Sequence, residues 1–385
     1  MRKEEMRMNR ESLEAALQPL LDEITSSSEA YGLQAAAYLN GRLVLSVCSG
    51  TADSLSCRKV APDTLFIGQS ASKGIVATLI HRLVQAGMLA YDDPVSAYWP
   101  EFAAHGKDKI TIRQVLTHSA GIPQMPEGAG METLCDWEAM TRGIEGLSPL
   151  WEPGTKSGYH GLTFGWILGE TAARAAGTPF TRLVEEEICR PLGIEGRLYF
   201  GAPPEAEPRI ARISGDVQQL VSLPEELLLK RVLPVSVMPV HNPEWNEPLF
   251  HRAGVPAVGA VMTAEALARM YASLIGEGED GVRLLSPERT AEATRLQHHQ
   301  HDEVMGGRHP MALGYALGDP EQPSAMGSGS DAFGHAGMGG IIGFADPSAG
   351  LAVAVLTNRL GGEQGDGKAD VRIAAKIREL LQLGR

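Results

Sequence analysis

The chain has 385 residues, 43% of them hydrophobic and 21% charged, with a formal net charge of −13. That length supports a sizeable core in one large domain or two. The acidic balance argues against nucleic acid or an anionic membrane as a main partner. Leu13, Leu17, Leu20, Leu21 and Ile24 recur at helical spacing and predict an amphipathic helix over Glu11–Thr25. Two apolar runs, Gly32–Leu39 and Leu43–Ser49, flank Asn40-Gly41, a strong hairpin signal. Ser54–Asp63 is polar and reads as a loop or short edge strands. A helix opening at Ser70 runs to Ala86 and stops at Gly87.

Further helices are predicted over Thr111–Leu116, Met131–Ile144, Leu162–Ala176 and Phe180–Ile188. Gly201–Pro256 is rich in proline and irregular in spacing, a long, partly looped excursion. Thr263–Ile275, with Thr263 as N-cap, and Ser286–Leu296 are helical again. The last third turns to strands, over Ala312–Leu317, Ile341–Ala345 and Leu351–Leu356, before a closing amphipathic helix over Asp370–Leu383. Strands at both ends with helices between predict an α+β fold. Residues 1–65 and 255–385 would build one mixed domain on an antiparallel sheet flanked by helices. Residues 66–254 would form a mostly helical inserted region carrying Ser70, Lys73 and Tyr159.

The opening residues, Met-Arg-Lys-Glu-Glu-Met-Arg-Met-Asn-Arg, lead into no apolar signal core, and a cytoplasmic protein is expected. No apolar run approaches the ~20 residues that span a bilayer. Cys48, Cys57, Cys135 and Cys189 form no Cys-x-x-Cys pair and read as free thiols.

Ser70-Ala71-Ser72-Lys73 is the stretch richest in chemistry. Serine and lysine three apart share a helix face, and the apolar run Ile75–Leu83 can bury that helix in a core. A second Ser-x-x-Lys, Ser56-Cys57-Arg58-Lys59, is followed by polar residues and Pro62 and opens no helix. A serine hydroxyl needs a base to become a nucleophile. A lysine buried beside it can be that base, because burial lowers the amine's pKa. A third group must carry the proton to the leaving group, and a tyrosine near the amine suits.

Ser70-Ala71-Ser72-Lys73, Tyr159-His160-Gly161 and His335-Ala336-Gly337 stand in the order and spacing of three motifs, and here the chain resembles the serine β-lactamase and penicillin-binding-protein superfamily. The flanks Leu116–Gly121, Trp151–Gly154 and Gly334–Gly340 agree, and the likeness is strongest to the class C β-lactamase-related group with its family VIII carboxylesterases. The resemblance implies a β-lactamase-like fold, Ser70 as acylated nucleophile, Lys73 as its base and Tyr159 as proton shuttle. It implies an oxyanion hole from the backbone N–H groups of Ser70 and Met338, with Gly337 keeping the strand clear for substrate. It calls for no cofactor or metal.

Two positions depart from the β-lactamase pattern. Gly161 stands where an asparagine grips the antibiotic's acylamino group, and His335 stands where a lysine helps hold its carboxylate. An esterase on small carboxylic esters is therefore expected. The alternatives are an acyltransferase passing the group to an amine or alcohol, and a weak β-lactamase or D-amino-peptidase. The expected partner is a small-molecule ester or amide; the oligomeric state is left open. Trp151, His160, Trp245, His335 and Gly337 are the candidate substrate-binding residues. His298, His299, His301 and His309 gather near Asp302 and Glu303, which reads as a surface loop rather than a metal centre.

Overall fold

The computed structural model describes residues 3–26, 32–215, 222–224, 226–278, 281–322, 324–361 and 368–383. Helix α1 (Lys3–Ser26) is followed by β1 (Gly32–Leu39), β2 (Arg42–Asp53) and the short edge strand β3 (Arg58–Lys59). The β1–β2 link has Asn40 at φ 48° and Gly41 at φ 74°. Positive φ at both positions makes a turn whose twist matches the flanking strands.

The chain enters its helical part through β4 (Phe66–Ile67) and α2 (Ser72–Gln85) and continues to α3 (Thr163–Ala176). After β5 (Leu198–Phe200) and β6 (Ser214–Gly215) it returns through β7 (Ala260–Met262) into α4 (Ala264–Ala272). The last third supplies β8 (Ala316–Leu317), β9 (Phe333–Gly337), β10 (Ile341–Asp346), β11 (Leu351–Thr357), β12 (Arg359–Leu360) and helix α5 (Ala369–Leu380).

One antiparallel sheet of seven strands runs β3-β2-β1-β11-β10-β9-β8. Strands from the two ends of the chain thus meet at its centre, Leu33 opposite Thr357 and Leu39 opposite Leu351. Side chains alternate across a strand, and here both faces are buried. Leu33, Ala35, Val353 and Val355 pack under α1 and α5 with Leu17, Leu21, Ile373 and Ile377. Ala36, Tyr38, Ala354 and Leu356 face the larger core of the helical part. Double burial is why β11 reads as an unbroken apolar run.

Helix α2 lies inside that larger core, with Ser72 through His81 and Leu83 buried. A helix apolar nearly all round belongs in an interior. Glycines let its neighbours close in: a Cβ on Gly74 would lie 2.1 Å from the Tyr271 hydroxyl. A second sheet, β4-β7-β5, ties the start of the helical part to its end.

Several boundaries differ from expectation. α1 begins at Lys3 rather than Glu11. The helical pieces expected near Met131–Ile144 are Met131–Leu134 and Trp137–Glu145, parted where the Asp136 side chain accepts from Ala139 N–H and caps a new start. The predicted Phe180–Ile188 helix is α-helical only to Val184 and then widens. The looped excursion holds short helices at Leu228–Val232 and Pro248–Ala253. All four cysteines are free. Among the described residues, no helix is long and apolar enough to cross a membrane.

Candidate active site

The sheet sets up the turn that carries Ser70. β4 pairs with β7, and Gly68 N–H then donates to the Ala260 carbonyl at 2.7 Å. The chain swings away through Gln69, whose φ is 46°. Ser70 follows in a single 3-10 turn, Gln69–Ala71, that runs into α2. The turn's first bond is Ala71 N–H to the Gly68 carbonyl, 3.0 Å. The Ser70 N–H lies before that bond and has no partner within the turn.

Ser70 Oγ is the meeting point of two side chains. The Tyr159 hydroxyl donates to it at 2.6 Å, and Lys73 Nζ lies 3.0 Å away. Lys73 Nζ also donates to the Ala257 carbonyl at 3.2 Å and sits 4.9 Å from the Tyr159 ring centre. Lys73 is fully buried, whereas Ser70 and Tyr159 are partly exposed. Burial holds the Lys73 amine well below the ordinary lysine range, and no carboxylate offsets it. Burial also pushes the Tyr159 phenol upward, only partly opposed by its bond with Ser70. The arrangement is an amine whose charged form burial disfavours, a hydroxyl and a protonated phenol in contact.

The Ala257 carbonyl is placed by close packing. A Cβ on Gly165 of α3 would lie 2.4 Å from Ala257 N, so only glycine admits residues 256–257 this near. β9 closes another side. A Cβ on Gly337 would lie 3.0 Å from the Gly68 carbonyl oxygen and 3.1 Å from Gln69 Cβ, which sets the Met338 end of the strand beside the serine turn. His335, on the same strand, stands with its ring 6.5 Å from that of Tyr159. Its Nδ1–H donates to the Ala336 carbonyl at 2.7 Å. Burial, with Lys73 charge second, pulls its imidazole down to about 3, so it is neutral at pH 7.

A family model described as Beta-lactamase matches residues 13–377. The chain belongs to the β-lactamase family. The Esterase/beta-lactamase LipL of Mycobacterium tuberculosis (strain ATCC 25618 / H37Rv) is 34% identical, over 84% of this chain and 76% of that protein. Esterase EstB of Burkholderia gladioli is 29% identical, over 90% of this chain and 91% of its own. The crystal structure of a family VIII carboxylesterase superposes with a TM-score of 0.85 at 29% identity, covering 96% of this chain and 97% of that one. The expected fold is the one found, an antiparallel sheet with flanking helices.

Within this β-lactamase-family chain, Ser70, Lys73, Tyr159, His335 and Gly337 come together, with Met338 at the edge of the group. Two other candidates, His160 and Trp245, point into the interior instead. His160 is fully buried: its Nε2 accepts from Ile122 N–H at 3.1 Å and its Nδ1–H donates to the Gly158 carbonyl at 2.7 Å. Trp245 is 2% exposed, spends its indole N–H on the Val237 carbonyl and stacks on Phe250. Trp151 packs behind the tyrosine stretch, edge-on to His160 and against Gly158. His160 and Trp245 brace the site from within, so the substrate-binding reading of these two is corrected; Trp151 is only partly buried.

Asp302 went unnoticed as a site residue. Its Oδ1 accepts from the N–H of Tyr159 at 3.1 Å and from those of Val304 and Met305, both at 2.8 Å. The histidine-rich loop is thereby hooked to the Tyr159 backbone, and His298 Nε2 joins it to the Thr117 carbonyl. Asp302 bonding two residues onward is a turn signature. Its reach to Tyr159 has no sequence signature, nor does the Ala257 carbonyl.

Proposed function

We propose that the protein is a serine hydrolase that cleaves small carboxylic esters through an acyl-Ser70 intermediate. One observation carries this reading: a single hydroxyl, Ser70 Oγ, within reach of both the Tyr159 hydroxyl and the Lys73 amine, at 2.6 and 3.0 Å. With Lys73 neutral the protons form one chain. Tyr159 O–H donates to Ser70 Oγ, Ser70 O–H donates to Nζ, and an Nζ–H donates to the Ala257 carbonyl.

In acylation Ser70 Oγ attacks the ester carbonyl carbon and its proton passes to Lys73. The carbonyl oxygen becomes an oxyanion, received by the backbone N–H groups of Ser70 and Met338. Donors of this kind contribute roughly 2.7–4 kcal/mol each to the transition state. The bond to the leaving oxygen then breaks. Tyr159 protonates that oxygen and is reprotonated by the Lys73 ammonium, which leaves the alcohol, acyl-Ser70 and a neutral lysine. Water repeats the sequence: it loses a proton to Lys73, attacks the acyl carbon and displaces Ser70, which recovers the proton.

Relatives named esterases support an ester as substrate. So do Gly161 and a neutral His335, which supply neither an amide nor a cation for a β-lactam. A fluorophosphonate probe followed by intact-mass measurement tests the proposal, with p-nitrophenyl acetate turnover beside it. The expected results are one adduct on Ser70, turnover abolished in Ser70→Ala, and a fall of roughly 10²–10⁴-fold in Tyr159→Phe. No adduct on Ser70, or undiminished turnover in Ser70→Ala, rejects it. The cytoplasmic location is part of the same proposal and is read by cell fractionation.

A further inference from the structure

Around the Tyr159 phenol, the backbone N–H groups of Gly158, Tyr159 and His160 each have an acceptor, and His118 supplies two of the three. Gly158 N–H donates to the His118 carbonyl at 3.0 Å, and His160 N–H donates to His118 Nδ1 at 3.1 Å. Tyr159 N–H, between them, goes to Asp302. The His118 ring also lies 5.1 Å from the Tyr159 ring and 4.9 Å from that of Phe164, centre to centre. One buried residue thus meets the tyrosine from both sides along the main chain and again through its ring.

The local backbone makes this possible. His118 N–H donates to the Val115 carbonyl at 3.1 Å where the short helix Ile112–Leu116 ends, and its φ is 55°. Histidine is among the few residues with a side chain that enter this left-handed region readily. The turn is pinned on either side of it. The Thr117 carbonyl is bonded to His298 Nε2 at 2.9 Å, and the Ser119 carbonyl accepts from Gly154 N–H at 2.8 Å. A turn fixed in this way can hold the tyrosine stretch rather than follow it.

Nδ1 accepts only when it is unprotonated, so the ring carries its proton on Nε2. Burial, then the charges of His160, His335, Lys73 and His298, hold the imidazole well below 6.5, which keeps Nδ1 an acceptor at neutral pH. Ser70 Oγ has Lys73 and Tyr159 as its partners, and His118 Nδ1 is engaged by His160 N–H. His118 therefore reaches the reaction only through Tyr159. We infer that His118 is a positioning residue: its Nδ1 and its carbonyl fix residues 158–160 so that the Tyr159 hydroxyl stays within reach of Ser70 Oγ. The inference rests on the esterase reading above and adds a residue to it.

The test measures p-nitrophenyl acetate turnover with spontaneous hydrolysis subtracted, active sites counted by fluorophosphonate labelling and folding checked by circular dichroism. His118→Phe refills the volume without an acceptor, and His118→Asn presents an acceptor and tolerates the left-handed backbone. His118→Phe should lower kcat by roughly ten- to a hundredfold, the effect of leaving a buried N–H unpaired, and His118→Asn should recover most of that loss. If the phenylalanine variant does not fold, His118→Gly, which adopts the same φ freely and also lacks the acceptor, takes its place. A double-mutant cycle with Tyr159→Phe then separates positioning from general packing. Without the phenol hydroxyl there is nothing left to position, so the His118 change should lower the remaining rate by less than about twofold. An equal loss with and without that hydroxyl, or a variant lacking the acceptor that is as fast as wild type, overturns the inference and leaves the esterase reading standing. A loss that asparagine does not recover overturns the assignment to Nδ1. No turnover of any ester, with Ser70 unlabelled, overturns the esterase reading and this inference with it.

Discussion

At the scale of single residues, the site depends on how Lys73 and Gln69 are held. In the proposed mechanism Lys73 is the base only as a neutral amine, and burial favours that form by holding its pKa well below 10.5. As pH falls through that lowered pKa the amine takes a proton and the rate declines, so activity rises with pH on the acid side. Lys73→Arg puts a permanent cation in its place, one that cannot deprotonate. It should lose roughly 10²–10⁴-fold in kcat/KM. If arginine kept most of the rate, the side chain would act by charge rather than as a base; pH–rate profiles of both proteins decide. Gln69 carries a different burden. Its φ of 46° is a conformation glycine adopts freely, and its buried Nε2 has no partner among the described residues. Gln69→Gly should match or exceed wild-type stability in urea unfolding, while Gln69→Val should lose about 1–3 kcal/mol. Equal losses in both would mean that the glutamine side chain, not the backbone, is what matters.

Elements bring these residues together, and here the sequence was only partly readable. The β1–β2 hairpin, the buried α2 and the unbroken apolar β11 carry local signals, through Asn40-Gly41, Ile75–Leu83 and Leu351–Leu356. The meeting of Ser70, Lys73 and Tyr159 was legible because their motifs are short and local. What faces them was not, because it arrives from far along the chain. Ala257 acts through its backbone. His160 reads as a pocket residue because it sits inside a motif, and Trp245 because it lies in the proline-rich stretch 234–256. The structure instead gives both a full set of interior contacts. Asp302 shows the same limit from the other side. One carboxylate oxygen holds both its own turn and the Tyr159 N–H, across a sequence separation of 143 residues. Removing it frees the tyrosine stretch from the loop. Asp302→Ala should lower kcat by about tenfold, the equivalent of one charge-assisted hydrogen bond. Asp302→Asn, which retains an acceptor oxygen, should recover most of the loss. Failure of asparagine to recover activity would point to the charge rather than to positioning, and steady-state kinetics of the two variants separate the cases.

At the scale of the whole molecule, the core that buries Lys73 also encloses histidines, and this makes the fold sensitive to acid. Burial pulls His81 and His335 down to about 3 and His160 to about 4, and it holds His118 well below 6.5. An unfolded chain presents each imidazole with a pKa near 6.5. Between about pH 6.5 and 4 the unfolded state therefore binds protons that the folded state refuses, and stability falls as pH falls. Each such histidine contributes about 1.4 kcal/mol per pH unit once the pH is well below 6.5. Asp370 works the other way: burial raises its pKa, so the folded state takes up its proton first and gains slightly in acid. The histidines outnumber it, and a domain holds only about 5–15 kcal/mol in all. Unfolding free energy from urea titrations should drop steeply between pH 6.5 and 4.5, above the range where ordinary carboxylates protonate. His81 offers a clean variant because it bonds to the Tyr91 hydroxyl and the Leu313 carbonyl, away from Ser70. His81→Gln should lower the slope by about one proton, roughly 1.4 kcal/mol per pH unit. A slope unchanged in the variant, or a flat profile in wild type, would show that water reaches these rings. The same titration separates two kinds of acid loss. Protonation of Lys73 removes activity with the circular dichroism spectrum intact, whereas proton uptake by the histidines removes both at one midpoint.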